Sequence, residues 1–354
     1  MKKLNELRER PIKMLLLSLT GTCNLACKYC YANEHAADFM TVETAIQAVK
    51  LAARSGEPFI LQFSGGEPLL NFPVIKAVID YVGENKISAL MQVQTNGTLI
   101  TEEITQVLKQ GKVAIGVSID GRAAEHDAQR CFPNGRGSMQ TILEGIEILK
   151  RHGIEIGVTT VVTAQNVHKL TGIVELAYYL GNVRRIGFDL LRGQGRGLHI
   201  KAAEENALKI GLEAAFGVAD KLEKLTGRKM LFAQLERVEK LKRGIFTTFA
   251  HCHAMNGAAV YVDAIGDMYA CASLVGNHDF YIGNVASGID VEKQAKIARQ
   301  IKASLHFCLD CSDFSLCGGG CFARWYGSQQ KGAYPCECSL KRTAIAWMRK
   351  NLTI

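Results

Sequence analysis

The chain has 354 residues, twelve of them cysteine, with 48% hydrophobic content and a formal net charge of +8. No apolar run approaches the roughly 18–20 residues that span a bilayer, so the hydrophobic content goes into a core and a membrane protein is excluded. The positive charge is dispersed, and "KLKR" at 240–243 has no interleaved aromatics; it reads as a solvated face, not a nucleic-acid surface. "MLLLSLT" at 14–20 is too short for the apolar core of a signal peptide. The expectation is a cytoplasmic protein whose cysteines are ligands or catalytic thiols and not disulfides.

In chain order, strands are expected at 13–19, 59–63, 89–94, 113–119, 155–162 and 185–191, mostly continuous in apolar character as in parallel strands covered on both faces. Helices alternate with them. Thr41 caps one with Ala45, Ile46, Val49 and Ala52 on its inner face, closing near Gly56. Pro73 starts a second, and Ser138 caps a third with Ile142, Ile146 and Leu149 inward and Gly153 at its end. The repeat suits a doubly wound sheet or a full or partial βα barrel.

Polar motifs follow the first four strands in turn: Cys23, Cys27 and Cys30, then "SGGEP" (64–68), "TNG" (95–97), and Ser118 with Asp120. At the carboxyl ends of parallel strands these should converge on one site. "GQGRG" (193–197) lacks the dinucleotide spacing and is expected to be a mobile loop over that face. Helical sequence near 202–243 breaks most clearly at "KLTGRK" (224–229), and from about residue 250 the chain becomes rich in glycine and cysteine, with short strands. Such a region needs bound metal in place of a large core.

Cysteines at the spacing of Cys23, Cys27 and Cys30 can be disulfide partners, zinc ligands or iron–sulfur ligands. They have no fourth partner nearby for tetrahedral zinc. The C-x3-C-x2-C spacing, Tyr29 before the last cysteine and "GGEP" after the next strand together resemble the radical S-adenosylmethionine (SAM) superfamily. The resemblance implies a 4Fe–4S cluster with one iron free to bind SAM, whose reductive cleavage gives a 5'-deoxyadenosyl radical. It assigns Gly65, Gly66 and Glu67 to the methionyl amino group and Ser118 to the ribose or carboxylate. "EHDAQR" (125–130) resembles the peptide-modifying branch and makes Arg130 a candidate for the SAM carboxylate. Asn96 is either a ligand contact or a turn former. Cys131 reads as a structural thiol. His251 and His253, which flank Cys252, read as polar neighbours more readily than ligands.

The later cysteines, with Cys308-x2-Cys311-x5-Cys317-x3-Cys321 at their centre, resemble the SPASM extension, which carries two auxiliary iron–sulfur clusters. A zinc ribbon would explain Cys308 and Cys311 but leave the rest unused. The implied fold is a partial (β/α)6 TIM-like barrel over 12–235, a bridging segment over 236–249 and a SPASM domain over 250–345. The resemblance places Cys252, Cys271 and Cys321 on the cluster nearer the barrel, and Cys308, Cys311 and Cys317 on the distal one. Cys338 is the expected last ligand and Cys336 its rival. An extended three-residue step spans only about 7 Å, which disfavours two clusters being served by that pair and leaves the nearer cluster an open iron.

The implied function is maturation of a ribosomally synthesised peptide by hydrogen abstraction, typically forming a crosslink. An external electron donor such as flavodoxin or ferredoxin would serve it. The short lead before the first strand leaves leader recognition to a separate protein or the barrel. Formylglycine formation in sulfatases is the alternative, but Ala272 follows Cys271 where an acidic residue is usual and no cysteine lies near Ala258. Tetrapyrrole or metal-cofactor modification stays open, and a non-enzymatic iron–sulfur electron carrier would have no use for "SGGEP".

Overall fold

The structure, a computed structural model, describes residues 10–33, 35–245, 249, 252–327 and 334–351. Strand β1 (Met14–Ser18) is followed by helix α1 (Val42–Ala53), and the alternation runs on through β2 (Phe59–Ser64), α2 (Phe72–Glu84), β3 (Ala89–Thr95), α3 (Glu102–Gln110) and β4 (Ala114–Ser118). Two helices follow, α4 (Ala123–Gln129) and α5 (Met139–Arg151), then β5 (Ile156–Val162), α6 (Leu170–Leu180) and β6 (Val183–Leu190). All six expected strands are present and pair in parallel, in the order β1 to β6.

Burial alternates along the strands. One face, with Leu61, Phe63, Val93, Ile115 and Val117, is buried in the core. On the other, Gln92 donates to Gln62 at 2.7 Å and Gln94 to Ser118 at 3.0 Å. The expectation of strands apolar on both faces is therefore corrected: one face is a polar lining, the pattern of a sheet curved around a site.

Local signals hold for α1, where the Thr41 side chain accepts from Thr44 N–H, and for Gly153, which takes φ 70° after α5. Ser138 does not cap α5. Its hydroxyl donates instead to the Arg130 carbonyl at 2.7 Å, within a buried network that the isolated sequence signal does not reveal. α7 (Glu205–Thr226) ends at left-handed Gly227, inside the anticipated break, and leads through the two-residue β7 (Leu231–Phe232) to α8 (Ala233–Lys242).

The cysteine-rich part continues the same sheet. β8 (Ala259–Val262) pairs in parallel with β1, and β9 (Asp267–Tyr269), β10 (Tyr281–Asn284) and β11 (Gly288–Ile289) add antiparallel strands. Helices α9 (Val291–Ser304), α10 (Phe314–Cys317), α11 (Phe322–Gly327) and α12 (Pro335–Asn351) complete the described chain. α12 packs on α7 and α8, which brings late cysteines beside the β6 end of the sheet. No described helix is long and apolar enough to cross a membrane.

Candidate functional site

The loop that carries Cys23, Cys27 and Cys30 leaves β1 and is bonded by its backbone to three later segments. Thr20 O and Thr22 O accept from Gly66 N at 2.7 Å and Glu67 N at 3.0 Å; Ala26 N and Lys28 N donate to Cys131 O and Gln129 O; Cys30 O accepts from Arg196 N at 3.0 Å. The last contact belongs to "GQGRG". That loop does lie over the active face, but as a bonded bracket and not a free flap: a Cβ on Gly195 would stand 2.8 Å from Cys30 O, and Asn33 Oδ1 also accepts from Arg196 N.

Gly65 and Gly66 permit a backbone approach, first of all to the chain itself. Added Cβ atoms would lie 2.4 Å from Thr20 O and 2.2 Å from Thr22 O, and Gly65 has φ 141°. Glu67 is wholly enclosed. Its carboxylate accepts from Leu69 N (3.1 Å), Thr95 Oγ1 (2.6 Å) and Asn96 N (2.7 Å). Burial outweighs these bonds and pushes its pKa up to about 7. With its carboxylate enclosed, Glu67 braces the turn through these three bonds. Asn96 is both turn former and loop support: its Oδ1 accepts from Thr98, and its Nδ2 donates to Asn24 Oδ1 at 2.8 Å and toward Cys23 Sγ at 3.8 Å. Ser118 is half-buried, with Gln94 on its hydroxyl.

Behind Cys27 stands a buried cluster the sequence shows only in outline. Arg130 Nε donates to Asp120 Oδ2 at 2.9 Å, Nη1 lies 3.9 Å from Cys27 Sγ, and the guanidinium sits 5.2 Å from the centre of the Tyr29 ring. The Tyr29 hydroxyl donates to the same Asp120 oxygen, and Asp120 Oδ1 accepts from Val161 N. Asp120 N–H donates to His126 Nδ1, which leaves Nε2–H to donate to Ser138 Oγ, and Ser138 donates to Arg130 O. Burial, then the Arg130 charge, drives the His126 pKa down to about 4.

The late cysteines fall into two sets. Burial raises the thiols of Cys252 and Cys271, and Cys321 beside both raises them further. Burial likewise raises Cys308 and Cys338, and Cys317 beside both raises them further. A cavity of about 110 Å³ is lined by Cys308, Cys311, Cys317 and Cys338, with Cys321 also on its wall. Cys336 is not among them: it is buried and donates to Ala203 O at 3.0 Å. Two positions apart on α12, Cys336 and Cys338 leave the helix on different faces, so only Cys338 reaches this cavity. Burial raises the pKa of Tyr31, and the charges of Cys30 and Cys271 both act on it in the same direction. Cys131 belongs to no set. His253 lines a cavity of about 330 Å³ with Cys252 and Cys321, and burial lowers its pKa; His251 lies outside the described residues.

A chain of ion pairs missed by the sequence reading joins β6 to this region. Asp189 pairs with Arg192 (3.0 Å) and Arg324 (2.9 Å), and Glu337 with Arg324 (2.7 Å) and Lys341 (2.6 Å). Arg237 donates to Cys317 O at 2.9 Å. Three cations thus pair with two carboxylates while Arg237 is held by backbone carbonyls, and the Nε atoms of Arg192 and Arg324 are buried without a hydrogen-bond partner. The only sequence signal was the i,i+4 spacing of Glu337 and Lys341.

These residues fit metal–thiolate clusters: cysteines in three sets, beside cations in excess of carboxylates. Among the described residues no three His, Cys, Asp or Glu side chains converge as ligands of one ion would; thiolates on a cubane each take a different iron.

The chain belongs to the radical SAM superfamily, whose profile matches residues 17–177. Membership brings a 4Fe–4S cluster and SAM. The chain is 35% identical over 268 residues to the uncharacterised protein MJ0907 of Methanocaldococcus jannaschii, covering 75% of this chain and 86% of that one. It is 31% identical over 325 residues to mycofactocin maturase MftC of Mycobacterium ulcerans, covering 87% and 82%. Its fold matches native anSMEcpe with bound AdoMet and Cp18Cys peptide, with TM-score 0.81, 20% identity and coverage of 97% and 98%.

Two measurements check this geometry. Gly66→Ala forces a methyl into a backbone carbonyl and is expected to cost about 1–3 kcal/mol in urea unfolding of the metal-free chain. His126, with a folded pKa of about 4 against about 6.5 unfolded, contributes stability that is complete above pH 6.5 and lost as the pH falls toward 4, on the order of 3 kcal/mol. His126→Asn should flatten that part of the stability profile relative to the parent, and parallel profiles would contradict it.

Proposed function

We propose that the chain is a peptide maturase, a radical SAM enzyme of the cytosol that abstracts hydrogen from a ribosomally synthesised peptide and forms a crosslink in it. The observation that carries this reading is the similarity to a maturase along nearly the whole chain. The three thiol sets, two of them beyond the profile match at 17–177, support it.

In this reading Cys23, Cys27 and Cys30 would hold the first cluster, with SAM bound beside it. Together they supply the radical that removes the hydrogen atom. The backbone of Gly65 and Gly66 lines the methionyl end, with Asn96 and Ser118 at the sides, and Glu67 holds this backbone in place. A cation near Glu67 would restore its charged form, which suits an ammonium bound by the adjoining turn. Residues 12–235 form the catalytic part and 250–345 the auxiliary part. Cys252, Cys271 and Cys321 hold a nearer auxiliary cluster, and Cys308, Cys311, Cys317 and Cys338 a distal one. With Cys336 bonded to Ala203 O, the nearer cluster keeps an iron without a cysteine. An external one-electron donor completes the system.

Anaerobic protein reconstituted with iron and sulfide, given dithionite, SAM and a precursor peptide encoded beside its gene, should release 5'-deoxyadenosine and leave the peptide lighter by two hydrogens. Formylglycine formed on a sulfatase peptide, with the precursor untouched, would overturn the substrate class in favour of the alternative. Cys23→Ala, Cys27→Ala or Cys30→Ala should abolish deoxyadenosine while retaining the auxiliary clusters. Cys338→Ala should perturb the distal cluster's spectrum and Cys336→Ala neither auxiliary spectrum; the reverse pattern would contradict the ligand division.

A further inference from the structure

We propose that Arg130 acts on the Cys27 thiolate as a fixed positive charge that favours the reduced state of the first cluster. The inference rests on Cys27 being a ligand of that cluster. Arg130 is nearly enclosed and is held at both ends. Its Nε is on Asp120 at 2.9 Å, and its carbonyl takes the hydroxyl of Ser138, itself bonded to His126. Asp120 cannot turn away, because Val161 N and the Tyr29 hydroxyl hold its two oxygens. With the Tyr29 ring against the guanidinium, Nη1 is directed at Cys27 Sγ, 3.9 Å away. A charge so placed, away from solvent, interacts strongly with any electron added at that sulfur, and hydrogen bonds to cluster sulfurs together with local charge set cluster potentials. Asp120 takes Nε and leaves Nη1 to Cys27. It orients the charge and offsets it in part.

The signs of two variants separate this role from a structural one. In fully reconstituted protein, a redox titration followed by electron paramagnetic resonance should show the first cluster's midpoint shifted to more negative potential in Arg130→Gln. A tenfold fall in the reduced fraction at fixed poise, about 59 mV for one electron, is the expected scale. Asp120→Asn removes a negative charge and should shift the midpoint the other way. SAM affinity is measured beside both. Midpoints that are unmoved, or that move together in one direction, overturn the proposal, as does an Arg130→Gln variant that loses SAM affinity tenfold at an unchanged midpoint. Should Arg130→Gln fail to take up iron, the sign of the Asp120→Asn shift decides alone. Wild-type protein that binds no first cluster would contradict the ligand assignment as well, and iron content distinguishes that failure from failure of the charge effect.

Discussion

Glu67 puts a carboxylate where no solvent reaches it and bonds it to Leu69 N, Thr95 Oγ1 and Asn96 N, while its own N–H is given to Thr22 O. One residue thereby ties the ends of β1, β2 and β3 to each other. Such an arrangement works only if the turn before it has no side chains, since Gly65 and Gly66 lie against Thr20 O and Thr22 O at distances a Cβ cannot share. The enclosed carboxylate is costly to ionise, as its pKa of about 7 records. What that cost secures is register: the cysteine loop, the glycine turn and the Asn96 turn hold one geometry from which thiols and backbone polar groups face the same space.

Charge governs the rest. Burial pushes Cys23 and Cys338 up to about 11 and Cys271 up to about 12, so without metal these three stay neutral thiols. Arg130 is paired with Asp120 behind the first set, and behind the others Arg192, Arg324 and Lys341 pair with Asp189 and Glu337 while Arg237 is bonded to backbone carbonyls. Buried cations without matching anions are expensive. Thiolates bound to iron are the anions that such an arrangement balances, which couples metal uptake to the stability of the cysteine-rich part.

The framework was legible because its signals are local. Strand periodicity, the Thr41 cap and the left-handed glycine at Gly153 depend on neighbours a few residues apart, and the spacing of Cys23, Cys27 and Cys30 is read directly. What depends on side-chain direction was less so. "SGGEP" gave the location of Glu67 but not its enclosure, and Ser138 looked like a cap because nothing nearby reveals that His126 and Arg130 claim its hydroxyl. Cys336 and Cys338 were indistinguishable as letters. Only a helix through both turns one toward Ala203 and the other toward Cys317. The Asp189–Arg324–Glu337 chain joins residues more than a hundred positions apart and left almost no trace in the sequence.

The central claim is that three cysteines on one rigid loop leave a single iron of the first cluster for SAM. Mössbauer spectroscopy of protein reconstituted with isotopically enriched iron, recorded with and without SAM, addresses it most directly. The account predicts that SAM alters the signal of one iron of the first cluster and leaves the distal cluster's irons unchanged. A first cluster whose irons remain alike when SAM is bound would contradict it.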